Sequence, residues 1–301
     1  MFDNFTPFFV QTQSEPPVTI AGVQSPVSPD LPPLLLLHGF PQTHHIWHLV
    51  APHLLKAYNV IIPDIRGYGE SSKPPGVESY AKSAMARDCI ALMDQLGYKD
   101  QSFYVCAHDR GARIAHKLCV DHPQRVKKTI LLDICPTLAM YNYTNFQFAK
   151  AYFHWFFLIQ AAPLPETAIV NSAEQFTKMY MGARQGDSVA IFDKRCYDAY
   201  EKCLSDMDTV HGMCNDYRAS ASLDMEEQKS DLENGRLIQC PLLVLWGKKG
   251  VIEKCFDAVK EWQAVTDPKI SVQGYAVDSG HYIPEEVPDA TVEAILSFLQ
   301  D

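Results

Sequence analysis

The stretch Phe103-Tyr104-Val105-Cys106-Ala107-His108-Asp109-Arg110-Gly111-Ala112-Arg113 constrains this chain more than any other. An apolar, β-prone run breaks at a small residue, presents one polar residue flanked by small ones, and continues as helix. That is the layout of a nucleophile elbow, a sharp strand-to-helix turn that lifts one side chain over the top of a sheet. The usual pattern places Ser at the exposed position, between glycines. Here Asp109 stands there, with Ala107 two residues before it and Gly111 two after. A carboxylate at that point means different chemistry from that of a serine esterase.

The rest of the chain repeats the strand-then-helix theme. Leu34–Leu37 is a continuous apolar run, as in a strand covered on both faces, and leads into the tight loop His38-Gly39-Phe40-Pro41-Gln42. Ile46–Lys56 reads as a helix. Asn59–Pro63 reads as a second buried strand ending at the Gly/Ser loop Asp64–Ser72. Met85, Cys89, Leu92, Met93 and Leu96 share a helical face, with Gly97 as the stop. Ser102–Cys106 is the next strand, Gly111–Asp121 the elbow helix, and Val126–Leu132 a strand that ends in Asp133. This alternation calls for a mostly parallel sheet with helices on both faces. From about Pro136 to Gly235 no buried strand is evident, and the segment reads as an inserted helical cap, residues 136–235, within a core domain of residues 1–135 and 236–301. Strands resume at Leu242–Trp246 and Ile270–Tyr275, separated by a helix over Phe256–Trp262. Ser279-Gly280-His281 follows in a loop, and Val292, Ile295, Leu296 and Leu299 mark a final helix. Before Leu34, Val18–Val23 reads as an early edge strand and the remainder as an irregular arm.

Charge and cysteine usage narrow the partners. A net charge of −10 over 301 residues argues against nucleic acid or an anionic membrane surface. No secretory leader and no apolar run of membrane-spanning length is evident. The nine cysteines are odd in number and lack a CxxC pair, so they read as reduced thiols of a cytoplasmic protein, with neither a disulfide framework nor a zinc site. No metal-ligand spacing or nucleotide-binding loop is present, and no cofactor is expected.

Asp109, Asp133 and His281 each follow a predicted strand, where open α/β sheets build their ligand sites. Nucleophile, acid and histidine in that chain order form the triad of an α/β-hydrolase fold. A rival acid position lies in a W-G-x-x-D loop after a later strand. Here the loop is Trp246-Gly247-Lys248-Lys249-Gly250, with glycine where the acid would stand, so the role moves to Asp133 and Glu253 is the remaining competitor.

With the loop His38–Gln42, the Asp64–Ser72 loop, the His-Asp-Arg-Gly-Ala-Arg elbow, Leu132-Asp133-Ile134 and Gly280-His281, the chain resembles the haloalkane dehalogenase and epoxide hydrolase branch of the α/β-hydrolases. The two elbow arginines, the Phe153-His154-Trp155 run and the acid at Asp133 resemble the fluoroacetate (haloacetate) dehalogenases specifically. Ala107 departs from the glycine usual in that family. The resemblance implies a substrate carboxylate held by Arg110 and Arg113, a halide site formed by His154, Trp155 and Tyr217, a small-molecule haloacid and water as the reactants, and a homodimer.

Carbonyl chemistry explains the nucleophile. A carboxylate that displaces halide from an alkyl carbon becomes an ester, whose carbonyl water can attack; serine would give an inert ether. His281 would activate that water, oriented by Asp133, and the backbone N–H groups of Phe40 and Arg110 would hold the oxyanion. An epoxide hydrolase using the same triad is the first alternative, with Tyr141, Tyr143, Tyr152 and Tyr217 as candidate acids. A non-catalytic ligand-binding protein on the same fold is the second. His108, beside the nucleophile, has no assigned role.

Overall fold

A computed structural model of the chain describes residues 1–182 and 188–300. The strands are β1 (Thr6–Gln13), β2 (Val18–Gln24), β3 (Pro33–Leu37), β4 (Asn59–Pro63), β5 (Phe103–His108), β6 (Val126–Leu132), β7 (Leu242–Gly247) and β8 (Val272–Val277). Every residue of β3, β4 and β5 is buried, as their unbroken apolar character requires. Successive side chains of a strand point to opposite faces, and two cores result. Leu35, Leu37, Val105, Ala107, Leu131 and Val244 enter one; Leu34, Leu36, Cys106, Ile130, Leu132 and Leu245 enter the other. Burying one such leucine contributes about 1.5–3 kcal/mol.

The strands lie in the order β1-β2-β4-β3-β5-β6-β7-β8. All neighbours run parallel from β4 to β8, while β1–β2 and β2–β4 pair antiparallel. The chain winds from β3 outward to β4, then returns to place β5 on the other side of β3. The loops after β3 and β5 therefore diverge at a topological switch point, where open sheets leave a crevice. Leu37 pairs with Ala107, and His108 with Leu132, so the residues that follow β3, β5 and β6 emerge side by side.

Helices α1 (Lys82–Met93) and α2 (Arg110–Asp121) flank the central strands. Between β6 and β7 the described residues hold only helices: α3 (Thr137–Asn142), α4 (Phe146–Ala151), α5 (Phe153–Leu158), α6 (Leu164–Val170), α7 (Ala173–Gly182), α8 (Lys194–Leu204), α9 (Met207–Ser220) and α10 (Leu223–Glu233). Residues 183–187 of this insertion lie outside the described residues. The chain ends with α11 (Val251–Cys255), α12 (Ala258–Gln263), α13 (Ile283–Glu286) and α14 (Pro288–Phe298).

Two expectations are corrected. Residues 46–56 do not form one helix; two 3₁₀ turns, His44–Trp47 and Ala51–Leu54, replace it. Pro52 has no N–H to donate and disfavours helix at Ala51, so it starts a new turn instead. The N-terminal arm is not irregular either. Its Thr6–Gln13 is the true edge strand and pairs with β2, which lies inside it. Phe8 is the only residue of that strand that is buried, so no apolar run or clean alternation announced it.

Candidate active site

The elbow forms as the residue sizes demand. Asp109 has φ 46° and ψ −113°, a left-handed conformation that costs a non-glycine residue roughly 1–3 kcal/mol. Helix α2 holds it there, the Asp109 carbonyl accepting from the N–H of Ala112 at 3.0 Å. A Cβ on Gly111 would meet the His38 carbonyl oxygen at 2.4 Å, so only glycine lets α2 approach β3 this closely. Ala107 is fully buried within β5, where an extended residue with a small side chain fits without glycine.

The Asp109 carboxylate faces two loops. Its Oδ1 accepts a hydrogen bond from the Phe40 backbone N–H at 2.9 Å. Its Oδ2 lies 3.8 Å from His281 Nε2, beyond direct hydrogen-bond range. A Cβ on Gly39 would lie 2.6 Å from Oδ1 and 2.8 Å from the Arg110 nitrogen, so the bare glycine backbone packs directly on the Asp109 carboxylate. Burial alone would raise the Asp109 carboxyl, but His281, His108, Arg110 and Arg113 outweigh it and hold it below the usual range.

Behind His281 stands Asp133, whose Oδ2 lies 2.6 Å from His281 Nδ1. Its Oδ1 accepts from the Gly247 N–H at 2.9 Å. Asp133 also has a positive φ, 52°, which turns its carboxylate back over the sheet. The rival loop ends in the same place: a Cβ on Gly250 would sit 3.3 Å from Asp133 Oδ1. Glu253 is not brought to the histidine; its Oε2 accepts from Trp246 Nε1 at 2.5 Å near the surface. His108, unassigned from the sequence, lies with Nε2 2.8 Å from the His281 carbonyl oxygen and so braces the histidine loop. Glu286 braces it from the other side, accepting from the N–H groups of Gly280 and Tyr282 at 2.6 and 2.8 Å.

The elbow arginines are both buried, but they are not equivalent. Arg110 is committed to Asp216: Nε to Oδ2, Nη2 to Oδ1 and Nη2 to the main-chain oxygen, each at 2.8 Å. Nη2 also reaches Ser220 Oγ at 2.6 Å. Lys82 contacts Asp216 and lies 3.3 Å from Asp224, closing a buried network of two cations and two carboxylates. Arg113 instead donates to Thr137 Oγ1 at 2.7 Å and contacts Met140 Sδ at 3.2 Å. Among the described residues no carboxylate is within ion-pair distance of it. Burial and the neighbouring Arg110 lower its guanidinium to about 10. Arg110 Nη1 and Arg113 Nε are buried donors without a hydrogen-bond partner, which leaves them to serve a ligand.

The aromatic residues singled out from the sequence join this cluster. The Arg110 guanidinium lies 4.2 Å from the Tyr217 ring centre, and that of Arg113 lies 4.6 Å from Trp155. The Phe40 ring stacks on His154 at 5.9 Å and meets Tyr217 edge-on at 5.4 Å. His154 and Trp155 come from α5, Tyr217 from α9, and both helices belong to the insertion. A cavity of about 410 Å³ opens beside the cluster and is lined by His281, His154, Tyr152 and Tyr180.

Two partners were missed, Asp216 and Glu285, and Tyr141, named above only as a candidate epoxide acid, joins the cluster beside them. Asp216, next to Tyr217, carries no motif. Tyr141 packs 4.9 Å from Trp155, and burial raises its hydroxyl to about 12. Glu285 accepts from Gln42 Nε2 at 2.5 Å and from Tyr200 at 3.1 Å, and so ties the Phe40 loop, the His281 loop and α8 together. Glu285, Cys196 and His48 offer ligand atoms within 4.8 Å of one another, a spacing a metal ion could use. Those atoms are already engaged, since both Glu285 oxygens accept hydrogen bonds and His48 Nδ1 lies 2.9 Å from the His45 carbonyl.

Residues 32–282 match the alpha/beta hydrolase fold family. The chain is 40% identical to a fluoroacetate dehalogenase of Burkholderia sp over 274 residues, covering 90% of this chain and 88% of that one. It is 27% identical to a soluble epoxide hydrolase of Corynebacterium sp. over 270 residues, 88% of this chain and 89% of the other. Among solved structures, an alpha/beta hydrolase from Nostoc sp PCC 7120, provisionally described as such, superposes with a TM-score of 0.90 at 42% identity, over 100% of this chain and 99% of that one.

Proposed function

Because the chain belongs to the alpha/beta hydrolase fold family, with a fluoroacetate dehalogenase among its relatives, we propose that it is a hydrolytic dehalogenase of short 2-haloacids, haloacetate first. Asp109 Oδ2 attacks the α-carbon from the side opposite the halogen. The halide leaves with the electron pair of the carbon–halogen bond, and an Asp109 ester forms. Its carbonyl oxygen is Oδ1, already 2.9 Å from the Phe40 N–H. His281 Nε2 takes a proton from water, whose oxygen attacks the ester carbonyl carbon. The Phe40 and Arg110 N–H groups hold the oxyanion, each worth about 2.7–4 kcal/mol in such a site. Asp133 stabilises the imidazolium. Collapse expels the original Asp109 oxygen with the substrate carbon, His281 returns its proton to that oxygen to give the 2-hydroxy acid, and the water oxygen stays in Asp109.

The observation that carries this reading is Arg113, a buried guanidinium beside Asp109 with no carboxylate of the described residues within ion-pair distance. A substrate carboxylate answers that charge, with the free donors Arg113 Nε and Arg110 Nη1 as its anchors. His154, Trp155 and Tyr217 supply imidazole, indole and phenol donors for the departing halide. Residues 136–235 act as a cap that brings these groups over the core formed by 1–135 and 236–301.

An epoxide hydrolase is the competing reading, supported by the Corynebacterium relative and by Tyr152, whose hydroxyl lies 3.5 Å from His281 Nδ1. A neutral epoxide leaves the Arg113 charge unanswered, which favours the haloacid. The test is halide release from fluoro-, chloro- and bromoacetate beside diol formation from styrene oxide, with Asp109→Asn as control. Halide release by the unmodified enzyme alone supports the dehalogenase. Diol without halide overturns it.

A further inference from the structure

We propose that Lys150, Lys249 and Lys254 form a cationic vestibule that draws anionic substrates into the site. The inference rests on the haloacid reading above and adds to it a route of entry and the residues that govern it.

The cavity that reaches His281 and His154 is also lined by these three lysines, and no Asp or Glu lines it among the described residues. That is a local reversal of sign in a chain whose net charge is −10. The lysines come from both parts of the fold. Lys150 ends α4 of the insertion, Lys249 lies in the loop after β7, and Lys254 lies in α11. The mouth is therefore positive on both sides of the seam between insertion and sheet.

Local partners leave most of that charge in place. Lys254 Nζ donates to a neutral acceptor, the Lys249 main-chain oxygen, at 3.0 Å. Lys249 Nζ lies 3.0 Å from Asp278 Oδ1, but both side chains are largely exposed, so water weakens the pairing. Glu253, the nearest acid in sequence, is turned to Trp246. A cleft lined by one sign of charge focuses its field and raises the local concentration of the opposite ion. Without such a patch, the overall negative field would repel a haloacid before Arg113 could bind it. The lysines act on capture and Arg113 on the bound anion, so the two effects separate as kcat/KM and kcat.

The test compares K150Q/K249Q/K254Q with K194Q/K229Q/K269Q, which removes three exposed lysines that do not line the cavity and so makes the same change in net charge. Chloroacetate turnover is followed at low and high salt. At low salt the vestibule variant should lose roughly three- to tenfold in kcat/KM with kcat kept within twofold, the size expected of a few exposed, partly screened charges. The gap should close at high salt, and the control variant should match the unmodified protein. Equal losses in both variants, or a loss carried by kcat, would overturn the proposal. Acetate binding by calorimetry is measured on the same proteins and needs no turnover. If the unmodified enzyme releases no halide, the dehalogenase reading fails. The vestibule then stands or falls on whether the vestibule variant alone binds acetate more weakly.

Discussion

Asp216 grips Arg110 along one whole edge of the guanidinium, with Nε 2.8 Å from Oδ2 and Nη2 2.8 Å from Oδ1, and no part of either side chain reaches solvent. Two arginines one helical turn apart suggest a symmetric clamp, but this pairing divides their work. Arg110 is neutralised and fixed in place. Arg113 has no carboxylate within ion-pair distance among the described residues, which suits the ligand role proposed for it.

Opposite outcomes are therefore expected from Arg113 and from Asp216, the carboxylate that holds Arg110. Arg113→Gln should lower kcat/KM for haloacetate by about 10²–10³, the effect of losing a buried charge-assisted contact worth about 2–5 kcal/mol. It should leave the melting temperature unchanged or raised, because it removes a buried cation that lacks an ion-pair partner and is costly to desolvate. Asp216→Ala should destabilise the fold by about 3–5 kcal/mol, because Arg110 and Lys82 then lose their shared carboxylate. Thermal melts and steady-state kinetics of both variants check this.

Gly250 and Asp133 converge on one carboxylate position from two different loops. Gly250 has φ −79° and ψ −177°, extended backbone that any residue adopts. Asp133→Asn should cost about 10⁴ in kcat by leaving the imidazole in the wrong tautomer. Adding Gly250→Asp to that variant should restore at least about tenfold of the lost rate, since the new carboxylate can orient the same imidazole. A double variant no faster than Asp133→Asn would show that the loop position cannot orient His281.

Burial pushes Glu285 up to about 8 from its ordinary 4.5, despite the hydrogen bonds from Tyr200 and Gln42. The folded chain then holds a proton across that window that the unfolded chain has released. Stability from this group is complete below pH 4.5 and is lost as pH rises through about 8. Glu285→Gln removes the titration, so its melting temperature should gain on that of the unmodified protein between pH 5 and pH 8. Parallel curves would contradict the assignment.

Much of the candidate site was readable because its proposed triad residues sit where apolar strands stop. β5 is a continuous buried run and β6 ends in one, Thr129–Leu132, and Asp109 and Asp133 are the first charged residues after them. The glycine at 250 turned the expectation from the later loop to Asp133, and Glu253 accepts from Trp246 Nε1. Asp216 was not readable, because an acid on a helix face looks the same whether it meets solvent or a buried guanidinium. The edge strand β1 was missed for a related reason: seven of its eight residues are exposed or only half-buried, all but Phe8, so pairing rather than patterning defines it. Pro52 gave its signal plainly, but the apolar spacing of Ile46, Trp47, Val50 and Leu54 spoke for a longer helix than proline allows.

The central claim is that Asp109 becomes an ester and that water attacks its carbonyl carbon, not the substrate. A single turnover of chloroacetate in ¹⁸O-labelled water, with enzyme in excess, tests it most directly. The account predicts unlabelled glycolate and ¹⁸O in the peptide that contains Asp109, because the first product takes its oxygen from the carboxylate. Label in the glycolate with none in that peptide would mean that water attacks the substrate itself, and the nucleophilic role of Asp109 would be lost.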